Sequence, residues 1–153
     1  METSESLGRG RRLDETAEAL PQRAAALSRL FLRRASIAVT RTEVGVLYAL
    51  RDRPRRITEL AVHEGVTQPA ITLLVNRLED RGWLRRGADP ADGRVVLVSL
   101  TRSGEAVINR LRGEYRALLH EEMAILDDAD VETLARSIEI LDGLIERLEE
   151  RAA

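Results

Sequence analysis

The stretch ITELAVHEGVTQPAITLLVNRLEDRGWLRRGADPADGR, from Ile57 to Arg94, decides the reading of this chain. It opens with a short apolar-periodic segment carrying Ile57, Leu60 and Ala61, breaks at Glu64-Gly65-Val66, and restarts at Thr67-Gln68-Pro69-Ala70 with a longer run. Two helices joined by a tight turn satisfy that pattern. In the second run Ile71, Leu74, Val75 and Leu78 fall at i, i+3, i+4 and i+7, so Pro69, Thr72, Leu73, Asn76, Arg77 and Asp80 share the opposite side. Thr67 is placed to cap this helix through its hydroxyl, and Pro69 sits in the first turn, where its missing N–H costs little. After the stop signal Arg81-Gly82, the runs Trp83-Leu84-Arg85-Arg86 and Arg94-Val95-Val96-Leu97-Val98-Ser99-Leu100 flank a Gly/Pro/Asp-rich cluster, which predicts a hairpin with a long polar tip. Helix, turn, helix, hairpin is a winged helix-turn-helix.

The outer side of the second helix is the informative one. A small residue, a hydroxyl, an amide and an arginine make a short face rich in hydrogen-bonding groups, fit to enter a major groove about 12 Å wide. A face that is only solvated more often carries long Glu/Lys pairs at i,i+4. The helix start, with its free N–H groups, favours phosphate.

Upstream, Thr40-Arg41-Thr42-Glu43 has the form of a capping box, and the helix it opens, with Val44, Leu47, Tyr48 and Leu50, ends before Pro54. Tyr48 reads as a packed ring with its hydroxyl at the rim rather than as a catalytic group. Arg55-Arg56-Ile57 adds a minor third strand beside the hairpin. A first helix runs from Asp14 to about Ser36 on Ala17, Leu20, Ala24, Leu27, Leu30 and Phe31, with Pro21 tolerated if it kinks the helix or lies near its true start. Residues 1–13, with Arg9, Arg11 and Arg12, form a flexible polar tail.

Downstream, Thr101 before Ser103-Gly104 starts a helix that runs to about Met123 with Val107, Ile108, Leu111, Tyr115, Leu118 and Leu119 inside. A cap at Asp127 or Asp128 opens the last helix, where Val131, Leu134, Ile138, Leu141, Ile145 and Leu148 form a heptad-like seam. So narrow a stripe asks for a partner helix. A chain this short has too little of a third layer to cover both terminal helices, which favours pairing across a two-fold axis. Two recognition helices about 34 Å apart then read successive major grooves. The expected architecture is mainly α with a small β-hairpin wing (α+β): a winged lobe over residues 37–104, and dimerisation helices over 14–36 and 105–153.

Composition sets the outer bounds. With 153 residues and 44% hydrophobic content the chain can bury a real core. No apolar run approaches 18 residues and the N-terminus lacks a secretory h-region, so neither a membrane span nor export is expected. Cysteine is absent, which removes disulfides, thiolate metal sites and cysteine redox sensing, and fits a cytoplasmic protein. The net charge of −2 conceals a segregation. From Arg51 to Arg102 ten arginines face seven acids, while from His120 to Glu150 eleven acids face Arg136 and Arg147. The basic middle attracts phosphate and the acidic end is repelled from it. All 24 basic residues are arginine, more readily a genomic bias than a demand for bidentate recognition.

The order of elements from Ser36 to Glu122 resembles the MarR family of bacterial transcriptional regulators. The resemblance is carried by Ile57-Thr58-Glu59-Leu60-Ala61, by Gln68 through Leu84, and by Asp89-Pro90-Ala91-Asp92-Gly93-Arg94 leading to Leu100-Thr101. Its specific parts are the wing and the helix ending Arg77-Leu78-Glu79-Asp80-Arg81-Gly82. The resemblance implies a triangular homodimer that binds an inverted repeat of double-stranded DNA, as a repressor. It implies Gln68, Pro69, Ala70, Thr72, Leu73 and Asn76 at base edges or adjoining sugars, Thr67 among the DNA-binding residues, Arg77 on phosphate, Arg94 in the minor groove, and Asp92 bracing the wing by ion pairing. Leu73 departs from the polar residue or arginine of many relatives, and suits a thymine methyl instead. The family also implies a small aromatic effector, of unknown identity and unknown contact residues, in a crevice lined from the first, second and fifth helices; no cofactor is implied.

Other readings are weaker. His63 and His120 lie far apart, and no Gly-x-Ser-x-Gly, phosphate loop or His-Glu-x-x-His occurs, so neither catalysis nor a metal site has a constellation of ligands to rest on. The stronger rival is a winged helix used as a protein-docking module, whose recognition face would be expected to carry larger apolar or aromatic anchors.

Overall fold

A computed structural model describes residues 4–152. Six helices and one hairpin follow in the order α1 (Ser4–Arg34), α2 (Arg41–Asp52), α3 (Ile57–Glu64), α4 (Gln68–Asp80), β1 (Leu84–Ala88), β2 (Val96–Leu100), α5 (Arg102–Met123) and α6 (Asp128–Ala152). They fall into two compact units, Met1–Glu114 and Tyr115–Ala153, with the division inside α5.

Helix α1 begins ten residues before the expected Asp14, and Pro21 lies in its interior. The segment from Gly8 holds its helix with little burial; Arg11 and Glu15 pair at i,i+4, 3.7 Å apart, a contact that periodicity of apolar residues does not reveal. Along α1 no described side chain is buried, and Leu13, Leu20, Leu27 and Leu30 are exposed.

The core of the first unit sits under α2, α3, α4 and the start of α5. Val46, Leu47, Leu60, Ile71, Val75, Leu78, Val98 and Leu111 are fully buried there. The four stripe residues of α4 are all inside, each contributing roughly 1.5–3 kcal/mol by removal of apolar surface from water. Helix α2 starts on the capping box: Glu43 N–H donates to Thr40 Oγ1 at 3.2 Å and Thr40 N–H to the Glu43 carboxylate at 2.7 Å. Two glycines make the turns around α4. Gly65 ends α3 at φ +64° and Gly82 follows α4 at φ +72°, left-handed conformations that a side chain disfavours.

Strands β1 and β2 pair antiparallel from Leu84↔Leu100 to Ala88↔Val96. The expected third strand is a single bridge, with Arg55 and Val98 exchanging both backbone hydrogen bonds at 3.0 and 2.8 Å. It goes no further because Ile57 already begins α3. Thr101 joins the hairpin to α5: its hydroxyl donates to Gly82 O at 2.6 Å and accepts from Gly104 N–H at 3.1 Å. In the second unit Asp127 caps α6 through Asp130 N–H at 2.8 Å, and no described side chain of α6 is buried.

Candidate nucleic-acid interface

Helix α4 divides sharply between its faces. Gln68, Pro69, Ala70, Leu73, Asn76 and Arg77 are exposed, Thr72 is half-buried, and Leu73 leaves 65% of its surface in solvent. Gln68, Pro69, Thr72 and Leu73 line a shallow concavity on this face. Thr67 stands at the N-cap in extended conformation but makes no side-chain cap, contrary to the expected hydroxyl cap. Its carbonyl accepts from Ile71 N–H at 3.1 Å, and with Pro69 in the first turn one fewer N–H needs a partner. The Thr72 hydroxyl donates to Gln68 O at 2.8 Å, one turn back. It is thereby committed as a donor and offers outward only its lone pairs and methyl.

The cations differ in their freedom. Arg77 and Arg94 make no ion pair and no side-chain hydrogen bond among the described residues, so both guanidinium groups are available to an anion. Arg94 sits in the wing tip, between the strands. There Asp92 Oδ1 accepts from Arg94 N–H at 3.1 Å, and Val95 N–H donates to Asp92 O at 2.9 Å. Asp92 thus supports the wing through the backbone, and the expected ion pair is absent among the described residues. A carboxylate two residues before an N–H closes such a turn locally, without a cation.

Two arginines for which the sequence predicted no contact complete the site. Arg81 places its guanidinium 3.5 Å from the centroid of the Trp83 ring, donates to Ala38 O at 3.0 Å, and lies 3.9 Å from the buried Glu43 carboxylate. It ties the end of α4 to the entry of α2. Arg86, on β1, donates through Nη2 to Asn76 Oδ1 at 2.7 Å and through Nη1 to the Glu79 carboxylate. Neither contact follows a helical or strand period, so only the density of arginine after Gly82 hinted at them.

Elsewhere, Glu59 accepts from Arg56 N–H at 2.7 Å and from Arg53 at 3.1 Å, and these bonds hold its carboxyl below the usual range. Burial pushes the Tyr48 hydroxyl up, partly opposed by Arg112 and Arg51. His63 Nδ1 lies 3.1 Å from Glu64 Oε1. Among the described residues no group of three or more His, Asp or Glu could hold a metal, and no helix is long and apolar enough to cross a membrane.

A glycine-turned helix pair followed by an antiparallel hairpin, with a solvent-facing second helix, defines a winged helix-turn-helix protein. Residues 39–95 match the model described as MarR family. An HTH-type transcriptional regulator of Mycobacterium tuberculosis is 31% identical over 87 residues, 57% of this chain and 61% of that protein. The HTH-type transcriptional repressor IacR of Pseudomonas putida is 30% identical over 92 residues, 60% of this chain and 55% of that one. The match therefore spans less than two thirds of either relative. The crystal structure of a transcriptional regulator from Thermotoga maritima superposes with a TM-score of 0.67 at 27% identity, covering 90% of this chain and 96% of that one.

Proposed function

We propose that the protein is a transcriptional repressor that binds an inverted repeat in double-stranded DNA as a homodimer, reading bases with the outer face of α4 and tracking phosphate with Arg77 and Arg94. The observation that carries this is the contrast across α4: the inward stripe is buried, while Asn76, Gln68, Pro69 and Leu73 stand exposed, and Arg77 and Arg94 make no ion pair among the described residues. Base edges in the major groove offer acceptors, donors and the thymine methyl, and this face supplies counterparts to each. Thr72 contributes its methyl and lone pairs, and the apolar surface of Leu73 and Pro69 suits a thymine methyl. A protein-docking face would present larger anchors than one leucine and one proline.

Dimerisation is supported by apolar residues left uncovered in one copy. Ile138, Ile145 and Leu148 on α6 are 59%, 52% and 63% exposed, and Leu27 and Leu30 on α1 are exposed too. Patches of this kind mark association surfaces. A small aromatic effector enters as a ligand with unequal affinity for binding-competent and incompetent forms, which by linkage lowers DNA affinity. The deciding experiment is selection of bound duplexes from a random pool. An enriched inverted repeat is expected; recovery of unrelated sequences, with equal affinity for wild type and Asn76→Ala on all of them, would overturn base reading.

A further inference from the structure

Asn76 and Arg86 come from different elements, one on the exposed face of α4 and one on β1, yet Arg86 Nη2 stands 2.7 Å from Asn76 Oδ1. A guanidinium has five N–H donors and no acceptor, so the amide atom facing it must be the oxygen, whichever way the group is first drawn. The amide nitrogen is therefore turned to the other side. Arg86 is itself held, since its Nη1 pairs with the Glu79 carboxylate three residues along α4 from Asn76. The side chains of Arg86 and Glu79 are 32% and 24% exposed, so solvent screens the arrangement less than it would a fully exposed pair.

An asparagine reads adenine by using both ends of its amide, accepting from the N6 amine and donating to N7. Here the accepting end already takes a charge-assisted bond, and a cation lies behind it. An adenine amine brought to the same oxygen would compete for its electron density and approach a positive group. Guanine and thymine present acceptors instead, at O6 and N7 or at O4, and these are attracted to the free Nδ2 donor and to the charge behind it.

We infer that Arg86 is a positioning residue for specificity: by holding Oδ1 it presents Asn76 as a hydrogen-bond donor, and so selects guanine or thymine over adenine at the base Asn76 reads. Arg86 touches no base and acts through the orientation of a neighbour. The inference rests on the DNA reading proposed above.

The test compares duplexes selected from a random pool by wild type, Asn76→Ala, Arg86→Met and Arg86→Lys. Asn76→Ala locates the position by losing preference there. Wild type is expected to hold guanine or thymine at that position. Arg86→Met, which frees Oδ1, is expected to raise adenine relative to guanine or thymine there by about tenfold, the low end of what one bidentate contact discriminates, and to leave other positions unchanged. Arg86→Lys keeps a donor for the oxygen and is expected to retain the wild-type base. Adenine selected by wild type at the Asn76-dependent position, or an Arg86→Met profile identical to wild type, overturns this inference while the DNA reading stands. A wild type that enriches no motif overturns both.

Discussion

At the scale of single residues, two glycines distinguish a rigid obstacle from a movable one. A Cβ on Gly104 would lie 2.1 Å from the Trp83 carbonyl oxygen, part of the backbone that joins α4 to β1. A Cβ on Gly45 would lie 2.2 Å from Glu64 Oε1, the tip of a side chain. Gly104→Ala is expected to cost about 3 kcal/mol, the upper range for overpacking, because strand and helix must part. Gly45→Ala is expected to cost clearly less, since the carboxylate can swing away and alanine favours helix by about 0.5–1 kcal/mol. Urea unfolding of the two variants decides it; equal losses would refute the distinction. The Glu59 carboxylate yields a second expectation at this scale. The Arg56 N–H, then Arg53, depress its pKa in the folded protein, so its contribution to stability is present above the unfolded value of 4.5 and is lost as pH falls through the lower folded value. Melting temperatures should place Glu59→Gln below wild type at neutral pH, with the gap closing in acid. A gap independent of pH would exclude the carboxylate as its source. Little of this was legible from sequence: Arg81 stacks on Trp83 within the turn that joins α4 to β1, Arg86 meets Asn76 across two elements, and residue order carries no period for either.

At the scale of elements, legibility followed burial. The inner stripe of α4, the Thr40 capping box and the ends of α5 are set by local pattern, and each lies where its residues predicted. Three details went otherwise because a local alternative won. Thr67 holds the start of α4 with its backbone rather than its hydroxyl, α1 begins at Ser4 on charged residues that an apolar period overlooks, and Asp92 closes the wing through an N–H rather than a guanidinium. That last difference sharpens a prediction for the wing. With Asp92 bound to the backbone, the Arg94 guanidinium makes no ion pair among the described residues, so Arg94→Ala removes a cation without breaking one. In DNA binding measured against salt, the slope of log affinity should fall by about 1 per protomer, about 2 for a dimer, with affinity lowered across sequences. An unchanged slope would take Arg94 off the phosphate and groove surface.

At the scale of the whole molecule, the sequence assigned α6 a seam of Val131, Leu134, Ile138, Leu141, Ile145 and Leu148, and in one copy these residues remain largely uncovered. The uncovered face is wider than that seam, since Ile140 and Leu144 are exposed as well. Heptad spacing names only the central line of a contact, whereas its width depends on the shape of the partner, which a single chain's order does not contain. An apolar helix face without internal cover is stabilised by association, and a second copy is the partner always present at equal concentration. Ile138→Asp sets a charge in the middle of that face, where burial of an unpaired carboxylate is costly enough to oppose association. Sedimentation is expected to give the mass of one chain for the variant and of two for wild type. DNA affinity should fall steeply, because one protomer engages one half-site and forgoes the second set of contacts. Far-ultraviolet circular dichroism close to wild type would separate this from loss of fold, and a variant that remains a dimer would remove α6 from the interface.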